Sequence, residues 1–271
     1  MKFSVVISVC AQDNSNWFRE ALKSVIKQTA MPSEIIITQD GVIDYSLQNA
    51  IEATRQDVGD TIPIVIINKE VNTGRGALLR EAVGQASHPL IAIMDSDDLS
   101  VENRFQKQLQ IFNQKDVDVV GSWISEFDEN LEQCYAQKKP PIEHAEIYKY
   151  GSWRNPINQM SVMFKKESAL RVGNYIEIKG FEDMWLWVRM LKGGCTFYNI
   201  PEPLVMVRGG KTMVQRRRGL KYAYTEAKLL VKMYKIGFIS PQRLVLLFIT
   251  RLPLRIMPNL LLTRFYTLLR K

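Results

Sequence analysis

Short apolar runs alternate with amphipathic stretches along the first 125 residues of the chain. Four of these runs are almost continuously apolar, as parallel strands are when helices cover both faces of their sheet. The four runs span 3–9, 34–38, 62–67 and 90–94. Strands that alternate with helices along a chain predict an α/β fold with a doubly wound, mostly parallel, Rossmann-like sheet.

The segments between these runs have the spacing of apolar residues that helices require. One predicted helical face comprises Phe18, Leu22, Val25 and Ile26. Further helices are predicted at 45–58, 76–86 and 101–112, and Ser100 is a suitable N-cap for the last of them. Beyond residue 125 the pattern is mixed, with strands predicted at 160–164 and 196–199 and a loop at 138–141.

Polar residues follow three of the predicted strands, at the edge of the sheet where ligands of doubly wound folds bind. The first strand runs into Cys10-Ala11-Gln12-Asp13-Asn14, the second into Gln39-Asp40-Gly41, and the fourth into Asp95-Ser96-Asp97-Asp98. Asp95 and Asp97 point the same way if the segment is extended, and their repulsion is relieved by a divalent cation among them. Oxygen ligands favour Mg²⁺ or Mn²⁺, and helix-capping acids in a loop are the alternative interpretation.

A second acid pair, Glu182-Asp183, opens the apolar stretch 184–191. Acids in a first turn complement the helix dipole, which is the simplest explanation of the pair. The stretch also contains Trp185 and Trp187, and an aromatic environment can raise the pKa of a carboxyl group toward the range of a general base. The pair is therefore a candidate catalytic site.

Composition and charge exclude several classes of protein. The chain has 271 residues, of which 46% are hydrophobic, and this hydrophobic content excludes a disordered protein. Its formal net charge is +8, but residues 208–271 hold 15 basic residues and one acid, Glu226. Three scattered cysteines predict neither a disulfide framework nor a zinc site and favour a reducing cytosol. The apolar N-terminal run is too short for a secretory signal, and no uninterrupted apolar window reaches the length of a membrane span.

The basic tail, residues 211–271, is predicted to form amphipathic helices at 220–234 and 243–270. We expect Pro253 and Pro258 to break the second helix into shorter pieces. Its arginines would face anionic lipid while its apolar residues enter the headgroup layer. These arginines are Arg251, Arg255, Arg264 and Arg270. A helical cap on the preceding domain, with solvated arginines, is the alternative.

The order of these motifs resembles glycosyltransferase family 2 with the GT-A fold, and within it the bacterial enzymes that build surface polysaccharides. The resemblance rests on the strand at 5–9, the segment 34–41, Asn72-Thr73-Gly74 with Arg80, the run 95–98, and Glu182-Asp183 with Trp187 and Arg189. It implies a catalytic domain at 1–210. Residues 1–125 would form its nucleotide-sugar-binding half and residues 126–210 its acceptor-binding half.

The resemblance also implies roles for individual residues. The residues that would bind the nucleotide sugar are Ser8, Val9, Cys10, Ala11, Asp40, Arg80, Asp95, Ser96 and Asp97. Those that would hold Mn²⁺ or Mg²⁺ are Asp95, Asp97 and Asp98. Asp183 would be the catalytic base beside Glu182, and Trp187 and Trp153 would lie on the acceptor side.

The resulting prediction is an inverting transferase that moves a hexose or N-acetylhexosamine from a UDP-sugar to a saccharide acceptor. We expect the acceptor to be lipid-linked, and the enzyme to be cytoplasmic and bound peripherally to the inner face of the cell membrane. A nucleotidyltransferase is an alternative, although residues 10–15 lack the glycine-rich, lysine-bearing loop that it would need. A nucleic-acid-binding protein is less favoured, because residues 1–207, which carry more acidic than basic residues, would repel phosphate. No nucleic-acid partner is expected.

Overall fold

A computed structural model describes residues 1–209 and 218–256. The chain divides into two compact units, Met1–Gly210 and Lys211–Lys271, here called the N-terminal and C-terminal units. Of the predicted tail, the positions of Arg216, Arg217, Pro258, Arg264 and Arg270 lie outside the described residues.

The N-terminal unit is a mixed α/β structure, as predicted. Its strands are β1 (Phe3–Cys10), β2 (Glu34–Asp40), β3 (Ile64–Lys69), β4 (Leu90–Asp95), β5 (Leu99–Ser100), β6 (Val119–Phe127), β7 (Cys134–Lys138), β8 (Met163–Lys165) and β9 (Phe197–Arg208). Its helices are α1 (Ser15–Ile26), α2 (Tyr45–Val58), α3 (Arg75–Gln85), α4 (Arg104–Gln114), α5 (His144–Gly151), α6 (Lys166–Arg171) and α7 (Glu182–Lys192).

The strands form one sheet with the order β3-β2-β1-β4-β8-β6-β9-β5, and β7 pairs with β6. The first four strands are parallel to one another, which confirms the doubly wound pattern. β8 is antiparallel to both β4 and β6, so the two halves of the sheet meet there. Ser8 pairs with Asp95 and Cys10 with Asp40, and the ends of β1, β2 and β4 therefore meet at one edge.

The core explains why these strands are almost continuously apolar. Alternate residues of β1, from Phe3 to Val9, pack with apolar residues of α1, α2 and α4 on one face of the sheet. Val6 is also fully buried, and α3 contacts β1 and β2. Because both faces are covered, the strands lack the apolar-polar alternation of a sheet that is exposed on one side.

Two local predictions are wrong, and two strands were missed. Ser100 lies in β5 rather than capping α4, which begins at Arg104 after Asn103. The predicted strand at 160–164 is divided into a 3₁₀ turn at Gln159–Ser161 and the short strand β8. Strands β6 and β7 were not predicted, because small and polar residues interrupt the apolar residues of β6 and β7 is mostly polar.

The C-terminal unit contains α8 (Leu220–Lys235) and α9 (Pro241–Ile256). Glu226 of α8 is fully buried and forms ion pairs with Arg251 and Arg255 of α9. Pro253 lies inside α9, so the predicted break there is wrong, since a proline in the last turn removes one hydrogen bond without ending the helix at once. Within the described residues, no helix is long and apolar enough to span a bilayer.

Candidate active site

Three aspartates converge after β4 and form the acid triad, Asp95, Asp97 and Asp98. Each offers a carboxylate oxygen, and the three oxygens lie within 4.8 Å of one another. Asp98 is only 2% exposed. One of its oxygens accepts the backbone N–H of Arg208 at 3.1 Å, while the other is buried and has no hydrogen-bond partner in the part of the chain that the structure describes.

The acid triad has the charge and donor set of a divalent-cation site. Burial, and after it the charges of Asp95 and Asp13, raise the pKa of Asp97 to about 6. Burial and the two neighbouring aspartates hold the pKa of Asp98 well above its usual range. Three clustered carboxylates are unfavourable alone and become favourable around a hard cation. The unpartnered oxygen of Asp98 therefore fits Mg²⁺ or Mn²⁺, which bind oxygen ligands.

Two residues that sequence reasoning did not assign hold the turn of the acid triad in place. Asp13 accepts the N–H of Cys10 at 3.0 Å and the hydroxyl of Ser96 at 2.9 Å, and so ties the end of β1 to the turn. Arg208, the last residue of β9, donates to the carbonyl of Asp97 at 3.0 Å and pairs with Glu20 of α1. Asp13 belongs to the polar run after the first strand, which was the one available signal.

A buried arginine, Arg104, lies close to the same turn. Its guanidinium donates to the carbonyl of Ile93 at 2.7 Å, to the hydroxyl of Ser100 at 2.9 Å and to Gln108 at 3.2 Å. Burial lowers the pKa of Arg104 to about 9, while the charges of Asp95 and Asp98 oppose that shift. The group remains charged at neutral pH and offsets part of the negative charge of the acid triad.

The acid pair, Glu182 and Asp183, occupies the first turn of α7, where the helix dipole stabilises negative charge. The side-chain amide of Asn155 donates to Asp183 at 2.6 Å and fixes the orientation of its carboxylate. Burial, and after it the charge of Asp183, raise the pKa of Glu182 to about 7. Glu182 therefore binds a proton near neutral pH.

Arg75 connects the acid triad with the acid pair. It is the first residue of α3 and forms an ion pair with Asp95. The charges of Asp95, Glu182 and Asp183 all act on its guanidinium and raise the pKa of Arg75. Gly76, the next residue, packs closely against Glu182, so the start of α3 lies beside both acidic motifs although almost ninety residues separate them in the sequence.

Close packing at the start of α3 also joins this site to the loop before α7. The N–H of Gly76 donates to the carboxylate of Glu177 at 2.8 Å. A Cβ atom at position 76 would lie 2.6 Å from that carboxylate, 3.1 Å from the Cα of Glu177 and 3.2 Å from the Cβ of Glu182. Only glycine allows this approach.

Two predicted site residues make contacts away from the acids. The ring of Trp187 is fully buried and packs edge-to-face against Phe164, Tyr175 and Phe197, so it has no surface to offer an acceptor. The Nη1 atom of Arg80 donates to the carbonyls of residues 173 and 175 at 2.8 and 3.2 Å, while its contact with a nucleotide stays a prediction. Trp153 is exposed two residues before Asn155, which contacts Asp183.

The predicted nucleotide-binding residues lie at the edge where β1, β2 and β4 end. Ser8 accepts the hydroxyl of Thr38 at 2.8 Å, and Asp40 accepts the N–H of Thr73 at 2.8 Å. The side chain of Val9 is buried in the core. Cys10 is partly buried and Ala11 is exposed. An exposed edge beside the acid triad is thus available to a ligand.

The sequence of the chain matches the family model described as glycosyl transferase family 2 over residues 4–173. The chain belongs to glycosyltransferase family 2. The match covers β1, β2, β4 and the acid triad. A UDP-Gal:α-D-GlcNAc-diphosphoundecaprenol β-1,3-galactosyltransferase of Escherichia coli is 36% identical to the chain and aligns with 95% of it and with 92% of its own length. The amylovoran biosynthesis glycosyltransferase AmsE of Erwinia amylovora is 32% identical, over 94% of each chain.

The fold also matches solved structures of this class. Residues 1–349 of TarS from S. aureus, solved in complex with UDP-GlcNAc, superpose with a TM-score of 0.68 at 14% identity, covering 93% of this chain and 72% of that one. The predicted GT-A fold is confirmed. Membership of a glycosyltransferase family decides against the nucleotidyltransferase and the nucleic-acid-binding protein.

Proposed function

We propose that this glycosyltransferase is inverting and metal-dependent, and that it transfers a hexose or N-acetylhexosamine from a UDP-sugar to a lipid-linked saccharide in bacterial surface polysaccharide synthesis. The observation that carries the proposal is the acid triad and the acid pair, joined by Arg75 in one site at the edge of the sheet. The E. coli relative, whose name specifies UDP-Gal and a diphosphoundecaprenol-linked acceptor, supports the classes of donor and acceptor.

The acid triad is proposed to hold Mn²⁺ or Mg²⁺, with Asp97 and Asp98 as the principal ligands and Asp95 beside them. The unpartnered oxygen of Asp98 supports this assignment. A bound divalent cation supplies electrostatic stabilisation of negative charge on a departing diphosphate. Asp13 and Arg208 keep the turn in the shape that brings the three carboxylates together.

Asp183 is proposed to be the catalytic base. Asn155 holds its carboxylate in one orientation, which supports this assignment. Asp183 would take the proton of the acceptor hydroxyl as its oxygen attacks the anomeric carbon. The bond from that carbon to the diphosphate oxygen breaks in the same step, and a single displacement inverts the configuration.

The donor nucleotide is proposed to lie along the ends of β1 and β2. Ser8, Cys10, Ala11 and the backbone of Val9 would border the base, with Asp40 toward the ribose. Ser96, which is fixed by Asp13, lies between the acids that would bind the ribose and the metal. The exposed ring of Trp153 is proposed to contact the acceptor.

The C-terminal unit is proposed to bind an anionic membrane surface, which would place the enzyme at the inner face of the cell membrane. Arg251 and Arg255 pair with the buried Glu226, so the prediction that these two arginines face lipid is wrong. The positive charge at the surface of this unit includes the exposed lysines of α8. Exposed apolar side chains in a basic unit are suited to a headgroup layer, and on α9 they are Val245, Leu246, Ile249 and Ile256. Replacing Val245 and Ile249 by glutamate should abolish flotation with anionic liposomes, whereas unchanged flotation would contradict the proposal.

The function is tested by incubating the protein with a panel of nucleotide sugars and a diphosphate-lipid-linked saccharide, with and without Mn²⁺. We expect turnover of a UDP-sugar only with metal, and a product whose anomeric configuration, measured by NMR, is opposite to that of the donor. Asp183→Asn should reduce the transfer rate about 10²–10⁴-fold and leave UDP affinity within a factor of a few. A retained configuration would contradict inversion, and full activity of Asp183→Asn would remove the assigned base.

A further inference from the structure

Arg75 differs from Arg80, Arg104 and Arg189 in what it contacts. Arg208 also pairs with a carboxylate, that of Glu20, but only the partner of Arg75 belongs to the acid triad. Arg80 and Arg189 donate to backbone carbonyls, and Arg104 donates to a carbonyl, a hydroxyl and an amide oxygen. Arg75 instead pairs with the carboxylate of Asp95, and among the described residues its Nε atom is buried without a hydrogen-bond partner. Part of its donor capacity is therefore not used by this part of the chain.

The charges around Arg75 favour an anionic ligand. The acid triad and the acid pair carry five carboxyl groups, and the diphosphate of a nucleotide sugar adds two negative charges. A single divalent cation neutralises only part of this total. A guanidinium that already lies among these acids can form charge-assisted hydrogen bonds with phosphate oxygens, for which its planar donor set is well suited.

We propose that Arg75 binds the diphosphate of the donor and thereby leaves Asp95 available to the metal and the nucleotide. This inference rests on the proposed function, because it assigns a further residue to the same site. As the bond between the anomeric carbon and the diphosphate oxygen breaks, its electron pair moves to that oxygen, and the proton of the acceptor hydroxyl moves to Asp183. Arg75 would donate to the phosphate oxygens as their negative charge increases.

The proposal predicts effects of opposite sign on two ligands. In the absence of the nucleotide-sugar donor, Arg75 is a positive charge beside Asp95. Removing this charge should therefore strengthen the binding of a divalent metal ion to the acid triad. In the presence of metal, the same removal takes a hydrogen-bond donor from the diphosphate and should weaken nucleotide binding. A residue that merely supports the local fold would weaken both.

The experiment compares the wild-type full chain with Arg75→Met and Arg75→Lys. Arg55→Met is the matched control, since Arg55 lies on α2 and pairs with Glu52 at the surface. The dissociation constant of Mn²⁺ is measured by electron paramagnetic resonance on the protein alone. That of UDP is measured by calorimetry at saturating Mn²⁺. Thermal unfolding of each variant reports on its fold.

For Arg75→Met we expect the Mn²⁺ dissociation constant to fall several-fold and the UDP dissociation constant to rise about 10-fold or more. Arg75→Lys should lie between this variant and the wild type, and Arg55→Met should match the wild type. Unchanged UDP affinity in Arg75→Met would overturn the inference, as would a parallel loss of affinity for both ligands. In either case a wild-type protein that binds UDP and transfers sugar would leave the proposed function standing. If the wild type binds no UDP, the proposed function fails and the role of Arg75 fails with it.

Discussion

Glu182→Gln is expected to remove a pH-dependent loss of stability from the N-terminal unit. The carboxyl group of Glu182 lies in the first turn of α7, next to Asp183 and near Arg75. Burial and the charge of Asp183 raise the pKa of Glu182 to about 7, from 4.5 for the unperturbed side chain. Between these two values the folded chain binds more protons than the unfolded chain does, so the free energy of unfolding falls as the pH rises.

The magnitude follows from the same two values. Each pKa unit corresponds to about 1.4 kcal/mol, and the full difference therefore corresponds to about 3 kcal/mol. Because the carboxyl group is partly exposed, screening by water reduces the expected loss to about 2 kcal/mol. The loss begins above the unfolded pKa and is complete once the pH exceeds the folded pKa. A glutamine has no charge to bury, so Glu182→Gln should not show this loss of unfolding free energy.

Urea denaturation at pH 5 and pH 8, in EDTA, measures the effect. From pH 5 to pH 8, the free energy of unfolding of the wild type should fall by about 2 kcal/mol more than that of Glu182→Gln. Asp97 and Asp98 also have raised pKa values, but they are present in both proteins and cancel in the comparison. Glu52→Gln, on the surface of α2, is the control and should behave as the wild type. Equal pH dependence of the wild type and Glu182→Gln would refute the assigned protonation.

Three further substitutions test other parts of the structure. Asp98→Asn should raise the melting temperature of the metal-free protein, because it removes a buried charge. It should also abolish the increase in melting temperature that Mn²⁺ causes in the wild type, and an equal increase in both proteins would contradict the assigned ligand. Trp187→Ala should cost about 3–5 kcal/mol of unfolding free energy in urea, and a cost below about 1 kcal/mol would contradict its place in the core. Glu226→Ala leaves Arg251 and Arg255 without their buried carboxylate and should cost about 3 kcal/mol, measured by denaturation of the full chain, with an unchanged midpoint as the contrary result.

The parallel half of the sheet could be predicted because its strands are continuously apolar. The helix predicted at 45–58 coincides with α2. The grouping of Asp95, Asp97 and Asp98 was likewise predictable, since these residues follow a buried strand directly. Strands β6 and β7 could not be predicted in the same way, because Gly121, Ser122 and Ser125 interrupt the apolar residues of β6, and β7 is mostly polar.

Residues whose position depends on distant contacts were missed or misassigned. Arg75 and Arg80 lie five positions apart on α3, which separates them by about 140° around the helix axis, and only Arg75 contacts an acid of the site. Trp187 lies on the same helix as Asp183 but packs into the aromatic core. The contact of Asn155 with Asp183 spans 28 residues, and no local pattern indicates it.

The glycine at position 76 constrains how substrates can reach the proposed catalytic groups. Its amide is bonded to Glu177, so α3 is fastened to the loop that precedes the acid pair. Hinge-like separation of these two parts would break that bond and pull Arg75 away from the acids. A cleft of constant width, entered from its open rim, is more compatible with this arrangement than two lobes that swing apart in each turnover.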